Sequence, residues 1–89
     1  MKEKIEKILK NKLGRDILTF FYQNQSSIDT VGGVSAWVHN ERGKVKKVLD
    51  DLVQLGILEE ESIGPTKGYC YTRKANVMKI VRELMKRSE

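Results

Sequence analysis

The chain has one cysteine, one proline, one histidine and one tryptophan, and each scarcity excludes some chemistry. A lone Cys70 can form neither an internal disulfide nor a cysteine cluster for zinc. His39 is the only histidine, and no phosphate-cradling loop of the form G-x-x-x-x-G-K-[ST] is present. Purely apolar runs reach only two or three residues, too short for a helix that spans a bilayer. The opening stretch Met1–Lys7 shows no apolar block followed by small residues, so it does not read as a secretory signal. The expectation is a soluble, cytoplasmic chain whose 89 residues make one domain, 1–89. At 39% hydrophobic and 33% charged, its composition is that of a globular protein rather than a disordered one.

Charge is what the chain does have. The net charge is +5, and the two ends carry most of it. Residues 1–24 hold six basic and three acidic side chains, and residues 74–89 hold five and two. A basic balance of this size is one footprint of nucleic-acid binding, although lysine-rich solvated helices produce it as well.

Apolar spacing predicts five helices. Ile5, Ile8 and Leu9 form one stripe and Leu13, Ile17, Phe20 and Phe21 another, about a quarter turn away. The mismatch predicts a short leading helix, a break near Gly14, and a first core helix over Leu13–Asn24. Thr30 is a good N-cap for a short helix over Val31–Val38, where Val34, Trp37 and Val38 are expected to face the core. Gly32 and Gly33 cost about 1 kcal/mol each in a helix interior, a cost offset if another helix must come close. Asn40 is placed to cap Glu41–Leu55, the strongest helix, whose stripe is Val45, Val48, Leu49, Leu52 and Leu55 and whose stop is Gly56. Two β-type runs, 57–63 and 69–72, flank Gly64–Gly68 and predict a hairpin with a five-residue loop. Lys74–Arg87 closes the chain as a helix with Val77, Ile80, Val81 and Leu84 inward.

Three core helices followed directly by a hairpin resemble the winged helix-turn-helix domain of small prokaryotic transcriptional regulators. The resemblance rests on Arg15–Phe21, on Thr30–Val38, and on Val45–Leu58, which ends in Leu52-Val-Gln-Leu-Gly-Ile57. It covers residues 13–73 and leaves 1–12 and 74–89 as flanking helices. It implies a mainly α fold with a small β-hairpin (α+β), a recognition helix at 41–55 lying in a DNA major groove, and residues 57–72 as the wing. The same scaffold also serves as a protein-interaction module, so duplex DNA is the expected partner and protein docking the alternative. Arsenic-type metal sensors of this fold use paired cysteines on the recognition helix. This chain has none there, so no metal or other cofactor is expected.

On a wheel of 100° per residue, Gly43, Lys47, Asp50 and Gln54 lie opposite the apolar stripe of the third core helix. Arg42 and Lys46 flank that face on one side and Lys44 on the other. The basic residues fill the first two turns and the acids Asp50 and Asp51 come later, which suits a helix whose N-terminal half enters a groove. Gly43 lets a phosphate approach the backbone. Lys67 at the hairpin tip and Arg73 beyond its second strand complete the expected DNA-contacting set. Glu59, Glu60 and Glu61 would be repelled by a duplex, so only the tip of the wing can face it. Tyr69 and Tyr71 fall on one strand face and suit cross-strand packing better than base stacking.

No catalytic constellation emerges. Cys70 alternates with tyrosines in a strand and reads as a small packed hydrophobe, and His39 reads as a capping or solvent-facing residue. The chain is therefore expected not to be an enzyme. Met78 and Met85 widen the apolar arc of the last helix. They either cover a core edge or pack on the leading helix of the same or a second chain, and the over-wide arc makes a homodimer the expectation.

Overall fold

The computed structural model describes residues 1–88. Helices α1 (Lys2–Lys10) and α2 (Lys12–Gln23) lead into a short strand β1 (Ile28–Thr30), then α3 (Val31–Val38) and α4 (Arg42–Gln54). Strands β2 (Leu58–Ile63) and β3 (Thr66–Tyr71) follow, and α5 (Ala75–Ser88) ends the described chain. This is the winged helix-turn-helix arrangement: α2, α3 and α4 form the tri-helical unit, β2–β3 the wing, and α1 and α5 the flanks.

The first helix break lies at Asn11, not Gly14. Asn11 leaves the helical conformation, and its Oδ1 accepts hydrogen bonds from the backbone N–H groups of Leu13 (2.9 Å) and Gly14 (3.2 Å). A side-chain cap satisfies orphan donors that a glycine cannot, so the cap decides the boundary. Thr30 caps α3 as its position predicts, its Oγ1 accepting from Gly33 N–H at 3.1 Å. Asn40 does not cap α4 across its first turn. Its Oδ1 instead accepts from the adjacent Glu41 N–H, and Glu41 occupies the N-cap position without a side-chain hydrogen bond. At the other end of α4, Gly56 adopts φ 79°. Its N–H donates to Val53 O while Ile57 N–H donates to Leu52 O. That pair of bonds is a Schellman motif, and it turns the chain sharply into β2.

The sheet has three antiparallel strands in the order β1-β3-β2, one more than the hairpin the sequence predicts. Ile28 pairs with Cys70 and Thr30 with Gly68, so Thr30 both ends a strand and caps a helix. Three residues are too short a run to display alternation, which is why β1 is invisible in the sequence. The wing loop is also tighter than expected. Ile63 pairs with Thr66, leaving only Gly64 and Pro65 in the turn, and Gly64 takes the positive φ (60°) that a two-residue hairpin turn needs at its first position. Gly68 belongs to β3, where it pairs with both Thr30 and Glu61, and the side chains of Ile28 and Ile63 lie over it, where a Cβ would displace them.

One apolar cluster joins the elements, with Ile5, Ile17, Leu18, Phe21, Val34, Val45, Leu49, Leu52, Ile57 and Val81 fully buried. Trp37 is not part of it. The indole is 59% exposed and rests on Phe20 at a centroid distance of 4.9 Å. The stripe of α3 is centred on Val31, Val34 and Val38, and Trp37 lies about a quarter turn off that centre, so it shields Phe20 from outside. Val48, expected in the core, is only half-buried. The apolar arc of α5 packs within the chain, beside α1, and Met85 retains 8% exposure.

Candidate nucleic-acid interface

The first two turns of α4 present Arg42, Gly43, Lys44, Lys46 and Lys47 to solvent, while Val45, Leu49 and Leu52 hold the opposite side in the core. The helix is therefore fixed by burial and offers its basic residues outward. Three flanks of this surface are built differently.

On the wing side, Lys46 Nζ meets Asp50 Oδ2 at 2.8 Å, and Asp50 Oδ1 accepts from the Tyr69 hydroxyl at 3.4 Å. Asp50 beside it holds the Lys46 ammonium above the usual lysine range. Across the strand pair, Lys67 Nζ contacts Glu60 Oε2 at 2.9 Å and is raised for the same reason. Burial, with Asp50 nearby, pushes the Tyr69 phenol up. The Tyr69–Asp50 hydrogen bond is where this set of polar contacts joins the wing to α4, while Lys67–Glu60 lies within the wing. On exposed side chains such pairs are worth little, a few tenths of a kcal/mol for an i,i+4 pair, and they yield readily to a phosphate.

At the start of the helix, the Arg42 guanidinium lies over Gly32 of α3, where a β-carbon would come within 3.1 Å of Nη2. Gly32 thus accommodates the Arg42 side chain rather than another helix backbone. Gly43 is different, because a β-carbon there would meet nothing within 4 Å. Packing within the chain does not require a glycine at 43.

On the far flank, Lys44 and Lys47 turn toward α1, and Lys47 reaches Asp51 Oδ2 at only 3.8 Å. Arg73 stands apart from all of these. Its Nη2 bridges Glu59 (3.1 Å) and Glu61 (3.3 Å), and its backbone N–H donates to Glu59 Oε2 at 3.1 Å. Those bonds hold the Glu59 carboxyl below the usual carboxylate range. Cys70 sits beside the two glutamates; burial first, then their negative charge, pushes its thiol up. A thiol kept protonated is a poor nucleophile. His39 is exposed and closes α3 in the left-handed conformation (φ 57°). Sequence reasoning missed the Asp50–Tyr69 link and the lysines that α1 contributes beside Lys44 and Lys47, since both depend on how separate elements pack.

No known protein-family profile and no curated protein sequence matches the chain. Solved structures do. The homodimeric winged helix-turn-helix DNA-binding domain of a possible ArsR-family transcriptional regulator from Mycobacterium bovis superposes with a TM-score of 0.74 at 16% identity, covering 97% of this chain and 76% of that one. HlyU from Vibrio cholerae gives 0.71 at 17% identity over 93% and 86%. The antimony-specific transcriptional repressor AntR gives 0.69 at 18% identity over 91% and 70%. At such identities the likeness carries the fold, and the winged helix-turn-helix class is firm. Function has to be argued from the site.

Proposed function

We propose that the chain is a non-catalytic, duplex-DNA-binding transcriptional regulator that places α4 in the major groove and the tip of the β2–β3 wing against the backbone. The observation that carries this reading is the outward basic half of α4, with Arg42, Lys44, Lys46 and Lys47 on its first two turns and Asp50 and Asp51 only after them. Lysines there neutralise phosphates, and Arg42 and Lys46 reach toward base edges. Gly43 supplies close backbone approach. Lys67 contributes from the wing tip with less effect, because Glu60 already holds part of its charge; Arg73, bridged to Glu59 and Glu61 at the base of the wing, adds only distant attraction.

A homodimer fits this reading, as in the M. bovis domain, since two recognition helices one DNA turn apart read a longer site. Met85 is covered by its own chain, so the half-buried Met78 and Ile80 of α5 are the apolar surface left for a second copy. Such a regulator works in the cytoplasm; among the described residues, no helix is long and apolar enough to cross a membrane.

Fluorescence anisotropy with a labelled random duplex, at 50 and 200 mM salt, tests the proposal. Affinity should fall steeply with salt, at a log–log slope of roughly −0.9 per phosphate contacted. No binding at 50 mM salt would reject it and favour protein docking.

A further inference from the structure

Between α1, the start of α2 and α4 runs an open groove of about 710 Å³, inside the range of roughly 300–1,000 Å³ typical of small-molecule sites. Its construction is specific. Lys4 and Lys7 of α1 rim one wall and Lys44 and Lys47 of α4 the other. Each pair is spaced i,i+3, so both members project on the same helix face. The floor between them is apolar, formed by the half-buried Ile8, Val48 and Leu55. Among the described residues, Asp51 is the only acid lining it, and its ion pair is with Lys47, at 3.8 Å. Lys4, Lys7 and Lys44 make no ion pair among the described residues. Three unpaired ammonium groups and the loosely paired Lys47 around a half-exposed apolar floor leave repulsion only partly compensated and apolar surface wet. A ligand with a negative head and an apolar body relieves both.

We propose that this groove is a binding site for a small anionic amphiphile, a carboxylate or phosphate head on an apolar tail or ring. The head sits among the four lysines and the tail covers Ile8, Val48 and Leu55. Resting on the functional reading above, the site has a regulatory consequence. Lys44 and Lys47 belong to both the groove and the basic half of α4, so an anion seated there withdraws two charges from the DNA surface. Occupancy opposes duplex binding.

Decanoate, used below its micelle range, is a suitable probe, with decanol and acetate as tail-only and head-only controls. In methyl-resolved NMR titrations, decanoate should saturate and move Ile8, Val48 and Leu55 first, binding at least tenfold tighter than either control. Decyl phosphate in parallel shows which head is preferred. Lys4→Gln with Lys7→Gln should weaken decanoate at least fivefold, while Lys79→Gln with Lys86→Gln, equal in charge loss but on α5, should not. Non-saturable shifts, shifts centred elsewhere, or equal losses from the two double variants would overturn the site. In anisotropy, saturating decanoate should weaken duplex binding at least fivefold in the wild type. The Lys4/Lys7 variant should bind duplex normally and lose that response. Unchanged duplex affinity at saturation would overturn the coupling. A chain that takes decanoate at the groove but binds no duplex at all would refute the functional reading and leave the site standing.

Discussion

The backbone carbonyl of Ile8 lies so close to Gly14 that a β-carbon on residue 14 would stand 2.5 Å from its oxygen and 2.8 Å from the Ile8 Cγ2. Helix propensity alone would favour alanine in this first turn of α2 by less than the roughly 1 kcal/mol of a helix interior. The contact opposes that gain with backbone, which cannot swing aside, and α1 would have to lift off α2. Gly14→Ala should therefore destabilise the domain by about 1–3 kcal/mol, the usual cost of overpacking. A chemical-denaturation midpoint at or above the wild type would show that α1 is free to move.

Gly43 makes the opposite case. Nothing lies within 4 Å of a β-carbon there, and its φ is not in the left-handed region. Gly43→Ala should leave stability unchanged or raise it by up to about 1 kcal/mol. If the glycine serves close approach to a phosphate, the same variant should weaken duplex binding severalfold while melting no lower. Unchanged affinity would remove Gly43 from the interface.

Trp37 is exposed and stacked on Phe20. Its emission should be red-shifted and readily quenched by acrylamide. Trp37→Ala should cost about 1 kcal/mol, the scale of one aromatic pair, well short of the roughly 3–5 kcal/mol typical of a core tryptophan. Blue-shifted, protected emission would contradict this placement.

That tryptophan also marks where sequence reasoning stopped. Periodicity locates a helix face to within a residue or two, so Val45, Leu49 and Leu52 were legible as core and Arg42–Lys47 as surface. It cannot say how wide a face a short helix buries, and at Trp37 and Val48 the burial ends sooner than the stripe. Caps written in local sequence, Thr30 and Gly56, were legible; Asn11 was hidden because its competitor Gly14 looked like the breaker. Strand β1 and the groove depend on which distant elements come together, and no local pattern records that. The charges of Lys67 and Arg73 were visible, whereas their glutamate partners emerged only from the strand register.

Tyr71 is buried and its hydroxyl has no hydrogen-bond partner among the described residues, while its ring meets Tyr22 edge-on at 6.4 Å. Burial pushes its phenol up to about 12. The unfolded chain releases this proton near pH 10, so above that pH the unfolded state gains and the folded state does not. Ionisation of Tyr71 thus takes nothing from the fold below about pH 10, and it costs stability progressively as pH rises from there toward 12. Tyr71→Phe removes an unsatisfied buried hydroxyl and should be neutral or stabilising at pH 7. It should also flatten the alkaline loss of stability between pH 10 and 12 in thermal melts. A destabilised variant at neutral pH would mean that the hydroxyl is hydrogen-bonded.

Duplex binding should depend on where positive charge sits as well as on how much there is. Lys46 and Lys47 are exposed on the basic half of α4, and their links to Asp50 and Asp51 are surface pairs with little stability to lose. Changing both to Glu should weaken duplex binding at least a hundredfold and flatten its salt dependence, because each lost phosphate contact takes about 0.9 from the slope. Lys2 and Lys10 lie on α1, are also exposed, and are not on α4. The same reversal there changes net charge by the same amount and should cost severalfold at most. Melting curves for both variants should stay close to the wild type, which separates binding from folding. Equal losses from the two reversals would mean diffuse attraction to a basic protein, and α4 would then have no special claim to the groove.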